Sequence, residues 1–172
     1  MNINDVNIQK RLSENQKIFL NSLSNYIDDE IYLYGSIRRM DYIPDKSDLD
    51  IDLFTDNENS LIYKLCNFLH LKKNDFKKVV YKIDNHIVYG YKTKYENKDT
   101  KLSIEISIYN QKDREKIIRQ HGKADNLPYV ILFLLYIVKL CYYKLGILSN
   151  EVYSKIKNFL IHMSNECNFI LL

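Results

Sequence analysis

The chain is 172 residues long, 46% hydrophobic and 27% charged, with a formal net charge of +3. That length suits one compact domain or a small catalytic domain with helical additions, and the composition argues against a disordered chain. Charge is uneven: residues 1–60 carry 6 Lys+Arg against 12 Asp+Glu, and residues 61–101 carry 10 against 4. Such an acidic segment beside a basic one could guide a polyanion, although an ordinary solvated surface is the favoured reading of the lysines. Cys66, Cys141 and Cys167 are odd in number and lack a Cys-x-x-Cys spacing, so buried, reduced thiols are expected. With no basic-apolar-small leader, a cytoplasmic (intracellular) protein is expected.

Ile8, Leu12, Phe19, Leu23 and Tyr26 recur at helical spacing, so residues 6–27 read as one amphipathic helix, ended by Asp28-Asp29-Glu30. An apolar strand over 31–35 then runs into a Gly35-Ser36 turn. Glycine, without a Cβ, lets a phosphate approach the backbone, and the free amides of the short helix that follows would attract an anion. Arg38 and Arg39 sit in its first turns, where guanidinium groups can fork onto phosphate oxygens. The helix breaks near Pro44.

Residues 48–54 alternate acid with aliphatic: Asp48, Asp50 and Asp52 share one strand face, while Leu49, Ile51 and Leu53 share the other. Carboxylates about 7 Å apart on one face repel each other, and a divalent cation such as Mg²⁺ or Mn²⁺ between them relieves the repulsion. A phosphate cradle followed by a metal-binding strand holds the parts that nucleotidyl transfer needs.

Asn57 to Ser60 offer caps for a helix with Leu61, Leu65, Phe68 and Leu69 on one face. Runs 76–83 and 86–92, joined by Asp84-Asn85, read as a hairpin, and 93–100 as a polar loop. In the next strand Leu102, Ile104, Ile106 and Ile108 alternate with Ser103, Glu105 and Ser107. Glu105 is therefore the foremost candidate for a third acid, with Asp52 competing. Gln111 to His121 reads as a charged helix stopped by Gly122. Asn126 and Pro128 start an apolar helix from Leu127 to Leu145. Its run Tyr129–Val138, broken by Lys139, is too short to span a bilayer, so a buried helix and no membrane partner are expected. Gly146 ends it, and Ser149 caps a last helix whose inner face would carry Val152, Ile156, Phe159, Leu160 and Met163.

No Gly-x-x-x-x-Gly-Lys-Ser/Thr loop is present, and His70, His86, His121 and His162 lack zinc-ligand spacing with the cysteines. Most of the 15 tyrosines read as structural, with Tyr89 and Tyr91 in the basic hairpin the first candidates for base stacking.

Gly35-Ser36, ten intervening residues and Ser47-Asp48-Leu49-Asp50 together resemble the signature of the DNA polymerase beta superfamily of nucleotidyltransferases. Gly-Ser-Ile-Arg-Arg is also similar to the form in its polymerase branch. The resemblance covers roughly residues 30–110, and Asp52 departs from it, standing where the family usually carries an aliphatic residue. It implies an α+β fold, with a small mixed or antiparallel sheet of about four to five strands flanked by helices. It further implies a catalytic core over 1–110 and a C-terminal extension of two or three helices over 111–172. By the same resemblance Gly35, Ser36, Arg38, Arg39 and Ser47 bind the nucleotide, with Ser36 and Arg39 on the triphosphate. Asp48, Asp50 and Glu105 are then catalytic ligands of Mg²⁺ or Mn²⁺. The function implied is transfer of a nucleoside monophosphate from an NTP such as ATP to a hydroxyl on a nucleic acid, a protein or a small molecule. A small polymerase, which the scarcity of glycine opposes, and a catalytically idle nucleotide- or partner-binding domain of antitoxin-like type stand as alternatives.

Overall fold

The computed structural model of the chain describes residues 5–83, 85–125 and 127–164. Asp84, Asn126 and Cys167, on which a hairpin turn, a helix start and a thiol were expected, lie outside the described residues. The expected N-terminal helix is two helices, α1 (Val6–Gln9) and α2 (Glu14–Ile27). The break falls at Ser13, whose backbone N–H donates to Gln16 Oε1 at 2.9 Å, a reciprocal cap that starts a new helix. There follow β1 (Tyr32–Tyr34), a 3₁₀ turn over Gly35–Arg38, β2 (Leu49–Thr55) and α3 (Glu58–Leu69). The chain continues with β3 (Lys77–Ile83), β4 (His86–Asn97), β5 (Leu102–Asn110), α4 (Arg114–Asp125), α5 (Tyr129–Tyr143) and α6 (Asn150–Ser164).

The five strands form one sheet in the order β1-β2-β5-β4-β3. Only β2 and β5 are parallel, because α3 and the β3–β4 hairpin intervene between them; the other pairs are antiparallel. This is the expected α+β class with a mixed sheet. Leu33, Leu49, Ile51, Leu53, Ile104, Ile106 and Ile108 are fully buried on one sheet face, against Leu20, Leu23 and Ile27 of α2 and Ile62 and Leu65 of α3. The opposite face carries Asp50, Asp52, Glu105 and Ser107, and α4 covers part of it.

Four expectations need correction. Segment 93–100 is not a loop: β4 continues through Asn97, with Thr93 buried and Tyr95 packed on the core. Its Lys94 pairs in register with Glu105 of β5 and lies 3.6 Å from Asp48, on the face opposite Thr93 and Tyr95. α4 runs past Gly122 to Asp125, and a Cβ at Gly122 would meet no atom within 4 Å, so this glycine is tolerated in the helix rather than ending it. α5 buries only Leu132, Leu135 and Lys139, leaving Tyr129, Val130 and Phe133 exposed. On α6 the inward residues are Tyr153, Ile156 and Leu160, while Val152, Phe159 and Met163 face out. Among the described residues no helix is long and apolar enough to cross a membrane. Cys66 and Cys141 are free thiols, partly rather than fully buried as expected.

Candidate active site

The site begins at the turn between β1 and β2. Gly35 sits at φ +73°, and a Cβ there would run into the carboxylate of Asp50, with Asp50 Cγ only 3.0 Å away. Glycine is thus required both by the backbone and by the acid packed on it. The back of the turn is pinned by Arg11, whose guanidinium donates to Ile37 O at 3.0 Å and Arg39 O at 2.7 Å. In front of the turn lies a cavity of about 340 Å³, lined by Gly35, Ser36, Ser47, Asp48, Asp50 and Glu105. Seven of the nine expected site residues border it, Arg39 included.

Strand register unites the acids. Asp50 and Glu105 are direct partners across the parallel β2–β5 pair, and Tyr34 faces Asp50 from β1. Neighbouring strands run about 4.8 Å apart, so the two side chains emerge side by side on one face. Burial, then the charge of Glu105, pushes the Asp50 carboxyl up to about 7. Glu105 is already engaged: Lys92 Nζ of β4 stands 2.6 Å from Glu105 Oε1. Burial works against a charge on Lys92, but Glu105 outweighs it and holds the ammonium above its usual range. Asp48, half-exposed at the mouth, has Lys94 Nζ at 3.6 Å. Among the described residues no three Asp, Glu, His or Cys side chains are drawn together as a ready-made ligand cluster. The donor chemistry nevertheless suits a hard divalent cation at Asp48 and Asp50, since added positive charge relieves the partly buried carboxylate of Asp50.

Two expected residues stand outside the cavity lining. Arg38 turns to Asp125 of α4 at 2.7 Å. Asp52 is 1% exposed and sits behind His121, whose Nε2 lies 2.9 Å from Asp52 Oδ2 but out of line for a hydrogen bond. His121 in turn stacks on Tyr34, with ring centroids 4.0 Å apart. Arg39 is 7% exposed and bound up in a buried network: its Nε donates to Asp41 Oδ1 at 2.9 Å, and Lys139 Nζ approaches Asp41 Oδ2 at 3.0 Å. Burial alone would raise Asp41, yet Arg39 and Lys139 more than offset it and hold its carboxyl below the ordinary value. Lys139 also donates to Ser47 Oγ at 3.3 Å, tying α5 to the residue before Asp48.

Sequence reasoning missed Lys92, His121, Lys139, Tyr143, Tyr153 and Lys157, all of which border the cavity. The interruption of an apolar run by Lys139 was a readable signal; the others depend on how β4 and the C-terminal helices pack. Tyr89 and Tyr91 do not reach the cavity. Tyr91 pairs in register with the core residue Ile108 and packs on that side of the sheet, opposite Glu105.

No curated protein matches the chain in sequence. Among solved structures, the fold is similar to that of the Cid1 poly(U) polymerase H336N mutant bound to MgATP, at 14% identity and a TM-score of 0.41 over 86% of this chain and 46% of that one. It is also similar to a chain of the GLD-2/RNP-8 complex, at 12% identity and a TM-score of 0.39 over 86% of this chain and 52% of that one. The chain thus spans about half the length of these structures. A family model described as the nucleotidyltransferase domain matches residues 13–139, from the cap of α2 to the buried lysine of α5, and the chain belongs to that family.

Proposed function

We propose that the protein is a metal-dependent nucleotidyltransferase that moves a nucleoside monophosphate from an NTP to an acceptor hydroxyl. The observation that carries this reading is the register pairing of Asp50 with Glu105 directly beneath the Gly35 turn. The β1 turn, β2 and β5 supply the cradle and the acids, and α5 and α6 close the cavity with Lys139, Tyr143, Tyr153 and Lys157.

In this reading the triphosphate lies along Ser36 and Ser47, and the nearby charge of Lys139 offsets its negative charge. Arg39 acts from below, holding Asp41 and through it Lys139. Asp48 and Asp50, with Glu105, would hold Mg²⁺ or Mn²⁺, which when bound supplies charge neutralisation and polarisation of the phosphoryl oxygens. The acceptor oxygen bonds to the α-phosphorus, the bond from that phosphorus to the bridging oxygen breaks, and pyrophosphate leaves with the electron pair. The hydroxyl proton passes to a carboxylate oxygen of Glu105. Lys92 fixes that carboxylate in place through its 2.6 Å contact.

Incubation with each α-labelled NTP and Mg²⁺ or Mn²⁺, with and without RNA, tests the proposal. Label on RNA or on the protein, with pyrophosphate released, supports transfer; neither product nor pyrophosphate would refute it. A second reading, a domain that binds nucleotide without turning it over, is favoured by one observation: Lys92 already occupies Glu105.

A further inference from the structure

A second cavity, of about 540 Å³, adjoins the first. The two share four wall residues, Asp48, Tyr143, Tyr153 and Lys157. The second is lined by Lys46 before β2, Lys94 at the end of β4, Lys98 and Lys101 in the turn to β5, and Lys157 of α6. Lys94 is neutralised, 2.8 Å from Glu96 and 3.6 Å from Asp48. Among the described residues, no carboxylate lies within ion-pair distance of Lys46, Lys98, Lys101 or Lys157. Lys157 also acts on Asp50 of the first cavity, so three ammonium groups with no ion-pair partner, Lys46, Lys98 and Lys101, face one space that Asp45 and Glu96 also border and that ends at Asp48. Like charges gathered this way repel one another unless an anion joins them.

The ring of Tyr142 lies flat against that of Tyr153, with centroids 4.3 Å apart and planes 9° from parallel, so the wall toward the catalytic cavity is aromatic. Three free cations, with Lys157 beside them, exceed what one phosphate or carboxylate needs, but they suit a chain of phosphates with a base against the tyrosines. We infer that this lysine-lined cavity is the acceptor channel, and that the acceptor is the 3′ end of a single-stranded nucleic acid. Its phosphates lie along Lys46, Lys98 and Lys101, and Lys157 steers its terminal hydroxyl past Asp48. This rests on the nucleotidyltransferase reading, because Asp48 is the point where the two cavities meet.

The test is fluorescence anisotropy with a 5′-labelled, mixed-sequence 15-nucleotide RNA, and the same sequence as DNA, at several potassium chloride concentrations. Lys98→Glu/Lys101→Glu is the comparison variant, since neither residue borders the nucleotide cavity. The wild type should bind at least one of the two oligonucleotides, with affinity falling as salt rises, and the double reversal should weaken binding at least tenfold and flatten the salt dependence. RNA binding alone or DNA binding alone would name the sugar and support the channel. Binding unchanged by the reversal, absent from a wild type that ATP with magnesium chloride stabilises thermally, or matched by polyglutamate at equal charge would overturn it. ATP with magnesium chloride giving no thermal stabilisation would instead count against the nucleotidyltransferase reading, while the oligonucleotide result would still decide the channel.

Discussion

At the residue scale, Gly35 carries two requirements at once. An alanine there would occupy the left-handed region at a cost of roughly 1–2 kcal/mol and would push its Cβ into the Asp50 carboxylate. Gly35→Ala should therefore lower the melting temperature and abolish stabilisation by ATP with Mg²⁺, whereas Gly122→Ala should leave that stabilisation intact; differential scanning fluorimetry checks both. Asp41 makes a separate case. Its folded carboxyl lies below the ordinary value of 3.8, so the stability it contributes is present above that value and lost as pH falls through its folded pKa. Urea denaturation from pH 6 down to pH 3 should show this acid-side loss in the wild type and a smaller one in Asp41→Asn. At neutral pH that variant should already be about 3–5 kcal/mol less stable, because Arg39 and Lys139 are left buried without their shared carboxylate.

At the element scale, β2 and β5 show why so much of the site was legible. Asp48-Leu49-Asp50 and Ser103 to Ser107 alternate with period two, and that alternation alone assigned acids to one face and aliphatic residues to the core. The pairing of Asp50 with Glu105 was not legible, since no local signal sets the register of two strands separated by a helix and a hairpin. The polar stretch 93–100 misled because a strand end with exposed Lys94 and Glu96 looks like a loop when read without β5, the strand it pairs with. α5 misled in the other direction: apolar residues all round its circumference imply burial all round, yet only one stripe packs on α6. Leu135→Ala, at 1% exposure, should cost about 2–5 kcal/mol. Phe133→Asp, at 63% exposure on the other side of the same helix, should change stability by no more than about 0.5 kcal/mol. Chemical denaturation of the two variants separates a one-faced helix from a fully buried one.

At the scale of the whole molecule, the sheet presents acids on one face and core on the other, and the C-terminal helices complete the cavity over the acid face. Lys139 links these levels, reaching from α5 to Asp41 and to Ser47 just before β2. The central claim is that Asp48 and Asp50 perform the transfer while contributing little to holding the fold. The most direct measurement compares pyrophosphate release from NTPs by the wild type and by Asp48→Ala/Asp50→Ala, together with their far-ultraviolet circular dichroism and melting temperatures. The expected result is a variant that keeps its secondary structure and melts no lower than the wild type, with release reduced at least a thousandfold. A folded variant that releases pyrophosphate at the wild-type rate would contradict the account.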